Sequence, residues 1–240
     1  MTGRIAAVLL SLVSCMLVSC AGMPDKGGVP EVIYQADFSK GKWNKADFLN
    51  VKSAICIERN DFFQSDKYIT NEEPEDVLKT RKQKRRDDYT SLLLNRKLGG
   101  ACRISSRMSF EDRMAPLIVL GEAPGVGKDG LPELREHLEI VLFDEGINIW
   151  KHSYKDGKQT WFRAAWIKMP FQPSVIYNFE VSVTFAPDGL CQLAVFCDGK
   201  ELLGCATASL KPDQPYYAGV TGCEGPCRFY DFKVVKNAGK

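Results

Sequence analysis

An all-β antiparallel sandwich is the fold class this sequence predicts, on three observations. Short runs rich in β-branched and aromatic residues recur from Glu31 onward, separated by turn residues. Asp-Gly pairs stand at the turns between them, at 156–157, 188–189 and 198–199. Such pairs are the strongest short hairpin signal, because both turn positions take φ > 0. A helical pattern is confined to one stretch around residues 72–86, and hairpin-linked strands with hardly a helix close as two packed antiparallel layers.

Residues 1–20 read as a lipoprotein signal peptide. Arg4 is the only charge before Asp25, and Ile5–Ser19 is apolar or small throughout. A positive start and a short apolar core followed by small residues describe an export signal. Fifteen residues fall short of the ~20 that span a bilayer as a helix. The core ends at Leu17-Val18-Ser19-Cys20, which resembles the lipobox of bacterial lipoproteins. That resemblance implies acylation of Cys20, which becomes the new N-terminus, and an extracytoplasmic place on the cell envelope. Under the same resemblance, Ala21 rather than Asp after the anchor implies the outer membrane if the cell is Gram-negative. Two alternatives stay open: Leu12-Val13-Ser14-Cys15 repeats the motif, and a plain secretory signal would also contain these features.

Residues 21–30, small and turn-forming, form a flexible tether, and 31–240 form the sandwich domain. About 220 residues suffice for one full core. Net charge is +2, or +1 once Arg4 is removed. That balance exerts no long-range pull on nucleic acid, and export excludes cytosolic nucleotides as partners.

Strands are expected at Val51–Glu58, Tyr89–Asn95, Ala101–Phe110, Pro116–Gly121, Leu138–Phe143, Ile147–Tyr154 and Thr160–Lys168. Further ones follow at Tyr177–Phe185, Cys191–Cys197, Glu201–Ala208, Tyr216–Gly219 and Arg228–Val235. The helical excursion begins with Glu72, Glu73, Glu75 and Asp76 and ends with a run of Lys and Arg up to Arg86. That order suits the helix dipole, with Asn71 as N-cap. Only Val77 and Leu78 are apolar there, so the segment reads as solvated rather than as a basic binding patch.

Nine cysteines are present, seven of them beyond Cys20. Cys223-Glu-Gly-Pro-Cys227 is a candidate disulfide across a tight turn. A two-residue Asp198-Gly199 loop sets Cys197 opposite Lys200 and Cys191 opposite Ala206, leaving Cys205 on the other face. Cys191 and Cys197 then share one face as small core residues. No metal site is expected, since His137 and His152 are the only histidines and no second close Cys pair completes four ligands. No cofactor is expected either.

Gly125-Val-Gly127-Lys-Asp-Gly130 matches the dinucleotide-binding glycine pattern. Only Leu131–His137 separates it from the next strand, too little for a crossover helix, so it reads as a glycine loop between strands. Glu139 and Asp144 lie five apart on a strand and point to opposite faces. A retaining glucanase would carry further acids where Val141 and Phe143 stand. Glu139 remains a candidate ligand-binding acid, and the catalytic acid or base if the protein is an enzyme.

Asn148, Trp150, His152 and Tyr154 share one strand face, and Trp161, Phe162, Arg163 and Trp166 follow across the Asp156-Gly157 turn. Flat aromatics stack on the C–H faces of sugars while Asn, His, Arg and acids bond the hydroxyls. Trp150 and Trp166 are expected in the core. The candidate ligand-binding set is Glu139, Asn148, His152, Tyr154, Trp161 and Arg163.

Several stretches together resemble a concanavalin A-like lectin/glucanase jelly roll of the laminin-G-like and 3-keto-disaccharide hydrolase type. They are Asp37-Phe38 with Trp43, Ser91–Lys97, Glu139–Ile147, Trp150-Lys151-His152, Val195–Lys200, Ala218-Gly219-Val220 and Phe229–Val234. The likeness spans roughly residues 33–236 and implies glycan-related work. In the hydrolase-like relatives a Gln stands where this chain has Val141. The leading expectation is therefore a lipid-anchored domain that binds carbohydrate. The alternatives are a glycoside-processing hydrolase acting on a (keto-)disaccharide or glucan, and a structural or assembly lipoprotein that binds protein partners.

Overall fold

A computed structural model describes residues 30–54, 61–72, 89–111, 115–223 and 225–237. In chain order the strands are β1 (Glu31–Asp37), β2 (Phe48–Ser53), β3 (Phe63–Gln64), β4 (Ile69–Thr70), β5 (Thr90–Leu94) and β6 (Cys102–Phe110). Next come β7 (Ala115–Gly121), β8 (Gly125–Val126), β9 (Pro132–Leu134), β10 (His137–Phe143), β11 (Gly146–Lys155) and β12 (Lys158–Lys168). The last six are β13 (Tyr177–Phe185), β14 (Cys191–Cys197), β15 (Lys200–Thr207), β16 (Tyr217–Cys223), β17 (Cys227–Phe229) and β18 (Asp231–Lys236). A single 3-10 turn, Lys45–Asp47, is the only helical element among the described residues. The expected helical excursion falls, apart from residue 72, outside them, as do Cys20, the leader and the tether up to residue 29.

These strands form two sheets. One runs β15-β14-β13-β6-β17-β4-β3, with β18 also on β6 and β1 on β18; the other runs β12-β11-β10-β7-β16-β5-β2-β9-β8. All pairings are antiparallel except β2 with β9. The antiparallel sandwich expected from the strand pattern is the fold observed.

Alternation decides which side chains go inward. On β6, Cys102, Ile104, Met108 and Phe110 are buried while Arg103 and Arg107 are exposed. On β14, Cys191, Leu193, Val195 and Cys197 form the buried face, as expected. The uniformly apolar β7 is buried on both faces. Ile118 and Leu120 enter the main core between the sheets, whereas Leu117 and Val119 join a second cluster on the far face with Val51, Leu93, Leu134 and Val141.

That far face is concave. From β12 to β2 is six inter-strand steps, about 29 Å if flat. Yet Ser53 Oγ on β2 lies 3.2 Å from Gln159 Oε1 on β12. The second sheet therefore curls until its far strands meet over this face. At Gly219 the strands approach so closely that a Cβ would lie 2.0 Å from the Leu92 carbonyl oxygen, a place only glycine can occupy.

Two local readings, both on cysteines, need correction, and two further segments take their places in the fold. A bulge between Val195 and Phe196 pairs Cys191 with Thr207 and Leu193 with Cys205, so Cys205 lies on the core face rather than opposite it. Cys223 and Cys227 are not joined by a disulfide. The Cys227 thiol instead donates to the Gly225 carbonyl at 3.5 Å. Asn71, expected as an N-cap, is buried; its Nδ2 donates to Gly225 O at 2.8 Å and its Oδ1 accepts from Cys227 N at 2.7 Å. The glycine stretch at 125–130 builds a short β8–β9 hairpin whose turn is closed by Gly127 N donating to Leu131 O.

Candidate functional site

The site is generated by the register of three strands. A two-residue turn at Asp144-Glu145 pairs Phe143 with Gly146, which carries His137 to His152, Glu139 to Trp150 and Val141 to Asn148. The Asp156-Gly157 turn, with φ of 52° and 75°, then sets Trp161 beside His152 and Gln159 beside Tyr154. A bulge between Ile149 and Trp150 leaves Ala164 unpaired, so Arg163 faces Trp150 while Trp166 faces Asn148. Without that extra residue Arg163 and Trp166 would lie on opposite faces. Directly paired residues share a face. The concave surface thus collects His137, Glu139, Asn148, Trp150, His152, Gln159, Trp161, Arg163 and Trp166.

Two zones result. The first is a buried polar knot at the closed end. Glu139 Oε1 lies 3.2 Å from His137 Nε2, and its Oε2 lies 3.2 Å from His152 Nε2. The two imidazoles stack with centroids 4.3 Å apart and planes 14° from parallel. His137 Nδ1 faces the Arg135 carbonyl at 3.3 Å, and His152 Nδ1 faces the Gln159 amide at 3.2 Å. The chain from Leu134 to Glu136, passing from β9 to β10, roofs this knot together with Ser53 and Gln159. His137, Glu139 and His152 retain only 2%, 5% and 3% exposure. Burial alone would raise the Glu139 carboxyl; the hydrogen bonds from His137 and His152 outweigh it and hold the group at about 2.

The second zone is open. β12 is the sheet's edge, and Trp161 and Trp166 are 54% and 58% exposed. The Arg163 guanidinium sits 4.5 Å from the Trp166 ring centre and 5.9 Å from that of Trp150. The Trp161 ring lies nearly parallel to His152, 6.2 Å away. Tyr154 is half-buried under the Arg135 guanidinium at 4.7 Å, and its N–H donates to Glu136. Phe162, paired with Lys151, is exposed on the opposite face.

Of the expected ligand-binding residues, Trp161 and Arg163 stand in the open zone, with Asn148 and Tyr154 half-buried beside it. Glu139 and His152 lie beneath the surface, because the curled sheet and its roof close over them. Trp166, expected in the core, is exposed because an edge strand has no neighbour to cover it. Trp150 is half-buried against the second cluster. No metal site was expected, yet His137, Glu139 and His152 bring potential ligand atoms within 4.8 Å of one another. Counting histidines and cysteine pairs overlooked Glu139 as a third donor. The available signal was the hairpin register, since a turn at 144–145 places His137 beside His152.

The outer face of the other sheet carries a groove lined by Arg107, Asn178, Glu180, Phe196, Asp231 and Lys233. Its charges are largely spent on one another, as Arg107 and Asp231 pair at 2.6 Å and Arg103 and Glu180 at 3.3 Å.

No protein-family model matches this chain, and no curated protein matches it. Solved structures do. The carbohydrate-binding module CBM66 from Bacillus subtilis superposes with a TM-score of 0.52 at 11% identity, covering 79% of this chain and 96% of that one. The Emp47p carbohydrate recognition domain gives 0.57 at 12% identity, covering 86% and 97%. β-Agarase A from Zobellia galactanivorans gives 0.58 at 9% identity, covering 91% and 97%. Likeness at such identities establishes the fold, a jelly-roll sandwich, and fold alone does not fix function.

Proposed function

We propose that this protein binds carbohydrate on the open zone of its concave face without cleaving it. The observation that carries the reading is the pair Trp161 and Trp166, each more than half exposed, flanking Arg163 on a rigid edge strand. Two flat apolar rings around a five-donor cation match the alternating C–H faces and hydroxyls of a sugar chain. Asn148 and Tyr154 add polar groups at the rim. The neighbours described as a carbohydrate-binding module and a carbohydrate recognition domain support the same reading.

Binding is favoured over hydrolysis by the surroundings of Glu139. The carboxyl is only 5% exposed, with an imidazole on each oxygen, and lies beneath the surface that a glycosidic bond would reach. Along its strand the next residue on the same face is Val141, and across from it stand Val119 and Trp150. The test is a glycan array with the purified protein. Retention of a glycan, lost in Trp161→Ala and Trp166→Ala, is expected. Release of reducing sugar that disappears in Glu139→Gln would instead establish a hydrolase.

The leader adds a proposed location: lipid-anchored through Cys20 on the extracytoplasmic face of the envelope, in the outer membrane where the cell has one. Labelled palmitate entering the wild-type protein and not Cys20→Ala would support it; equal labelling of both would refute it.

A further inference from the structure

We propose that His137, Glu139 and His152 form a binding site for a divalent transition-metal ion of the Zn²⁺ class. The inference is independent of the carbohydrate reading, since it concerns the buried knot rather than the open zone. Two donors each about 2.0–2.1 Å from one tetrahedral ion lie about 3.3 Å apart. Glu139 Oε1 stands 3.2 Å from His137 Nε2 and its Oε2 3.2 Å from His152 Nε2, and the three residues each offer a donor within 4.8 Å of the others. Two imidazoles and one carboxylate are a donor set that zinc accepts, with a fourth position left for water.

The surroundings of the rings match those of metal-bound histidines, whose second nitrogen bonds a carbonyl, carboxylate or similar group. His137 Nδ1 has the Arg135 carbonyl, and His152 Nδ1 has Gln159, itself placed 3.2 Å from Ser53 Oγ. His137 is the more telling. Both of its nitrogens face acceptors, the Arg135 carbonyl on one side and the Glu139 carboxylate on the other. Such a ring needs either a second proton or a cation at Nε2. All three donors project from two adjacent strands, a support rigid enough to hold ligand geometry.

Titration calorimetry of the protein with Zn²⁺ measures stoichiometry and affinity, and Co²⁺ reports the ligands. The expected result is one ion per chain, with four-coordinate Co²⁺ bands in the visible and no sulfur-to-cobalt band in the near ultraviolet. His152→Ala should abolish binding. Gln159→Ala, which removes only a half-buried support, should weaken it about 10–100-fold while the fold persists. Absence of saturable binding, a sulfur-to-cobalt band, or affinity unchanged in both variants would overturn the site.

Discussion

Glu139→Gln is the substitution whose cost the structure determines most directly. The amide oxygen still accepts from one imidazole, but the amide NH2 meets the other imidazole donor, leaving buried donors face to face. The carboxyl is depressed from 4.5 to about 2. At about 1.4 kcal/mol per pH unit, that shift corresponds to about 3 kcal/mol of folded-state stability. Removing one member of a buried pair costs about 3–5 kcal/mol, an independent figure of the same size. The sign follows from the depression. The contribution is complete above about pH 4.5 and is lost as pH falls toward 2, where the folded protein also takes up the proton. Urea unfolding with a chelator present should place the variant about 3 kcal/mol below wild type at pH 7, a midpoint drop of about 1–2 M. The gap should close between pH 4.5 and 2. A gap under about 0.5 kcal/mol at pH 7, or one equally large at pH 2, would refute the reasoning.

Trp161→Ala and Trp166→Ala should each weaken glycan affinity about tenfold, the equivalent of about 1.4 kcal/mol of stacking. Both rings are more than half exposed, so thermal unfolding should be nearly unmoved. Gly219→Ala forces a methyl group against the Leu92 carbonyl and should cost about 3 kcal/mol or more by urea unfolding. Asn71→Ala removes the side-chain oxygen that accepts from the Cys227 amide and the amide that donates to the Gly225 carbonyl, leaving that carbonyl only the longer contact from the Cys227 thiol. A loss of about 2–3 kcal/mol is expected by the same measurement.

Much of this arrangement was legible in the sequence, and what was missed has identifiable physical causes. The alternation Asn148, Trp150, His152, Tyr154 assigned a strand face correctly, because period two follows from the pleat. The Asp-Gly turns at 156 and 198 gave their hairpins correctly, since each places its pair at positive φ. Bulges are where the register readings failed. The extra residue on β15 moved Cys205 to the core side, and Ala164 brought Arg163 and Trp166 together, yet neither position carries a distinctive residue. The exposure of Trp166 depended on β12 being an edge, a property of the whole sheet that no local pattern records. The burial of Glu139 and His152 depended on curling, which brings Ser53 to Gln159 across 106 positions of chain. The His137–Glu139–His152 knot, by contrast, was within reach of hairpin arithmetic.

The carbohydrate reading is tested most directly by following the indole N–H signals of the four tryptophans in a ¹⁵N-labelled sample during titration with an array-selected oligosaccharide. Trp161 and Trp166 should shift in a saturable way, while Trp43, whose indole donates to Gln64 at 2.7 Å away from the concave face, stays in place. A glycan that binds while Trp161 and Trp166 remain unmoved, or no glycan that binds at all, would contradict it.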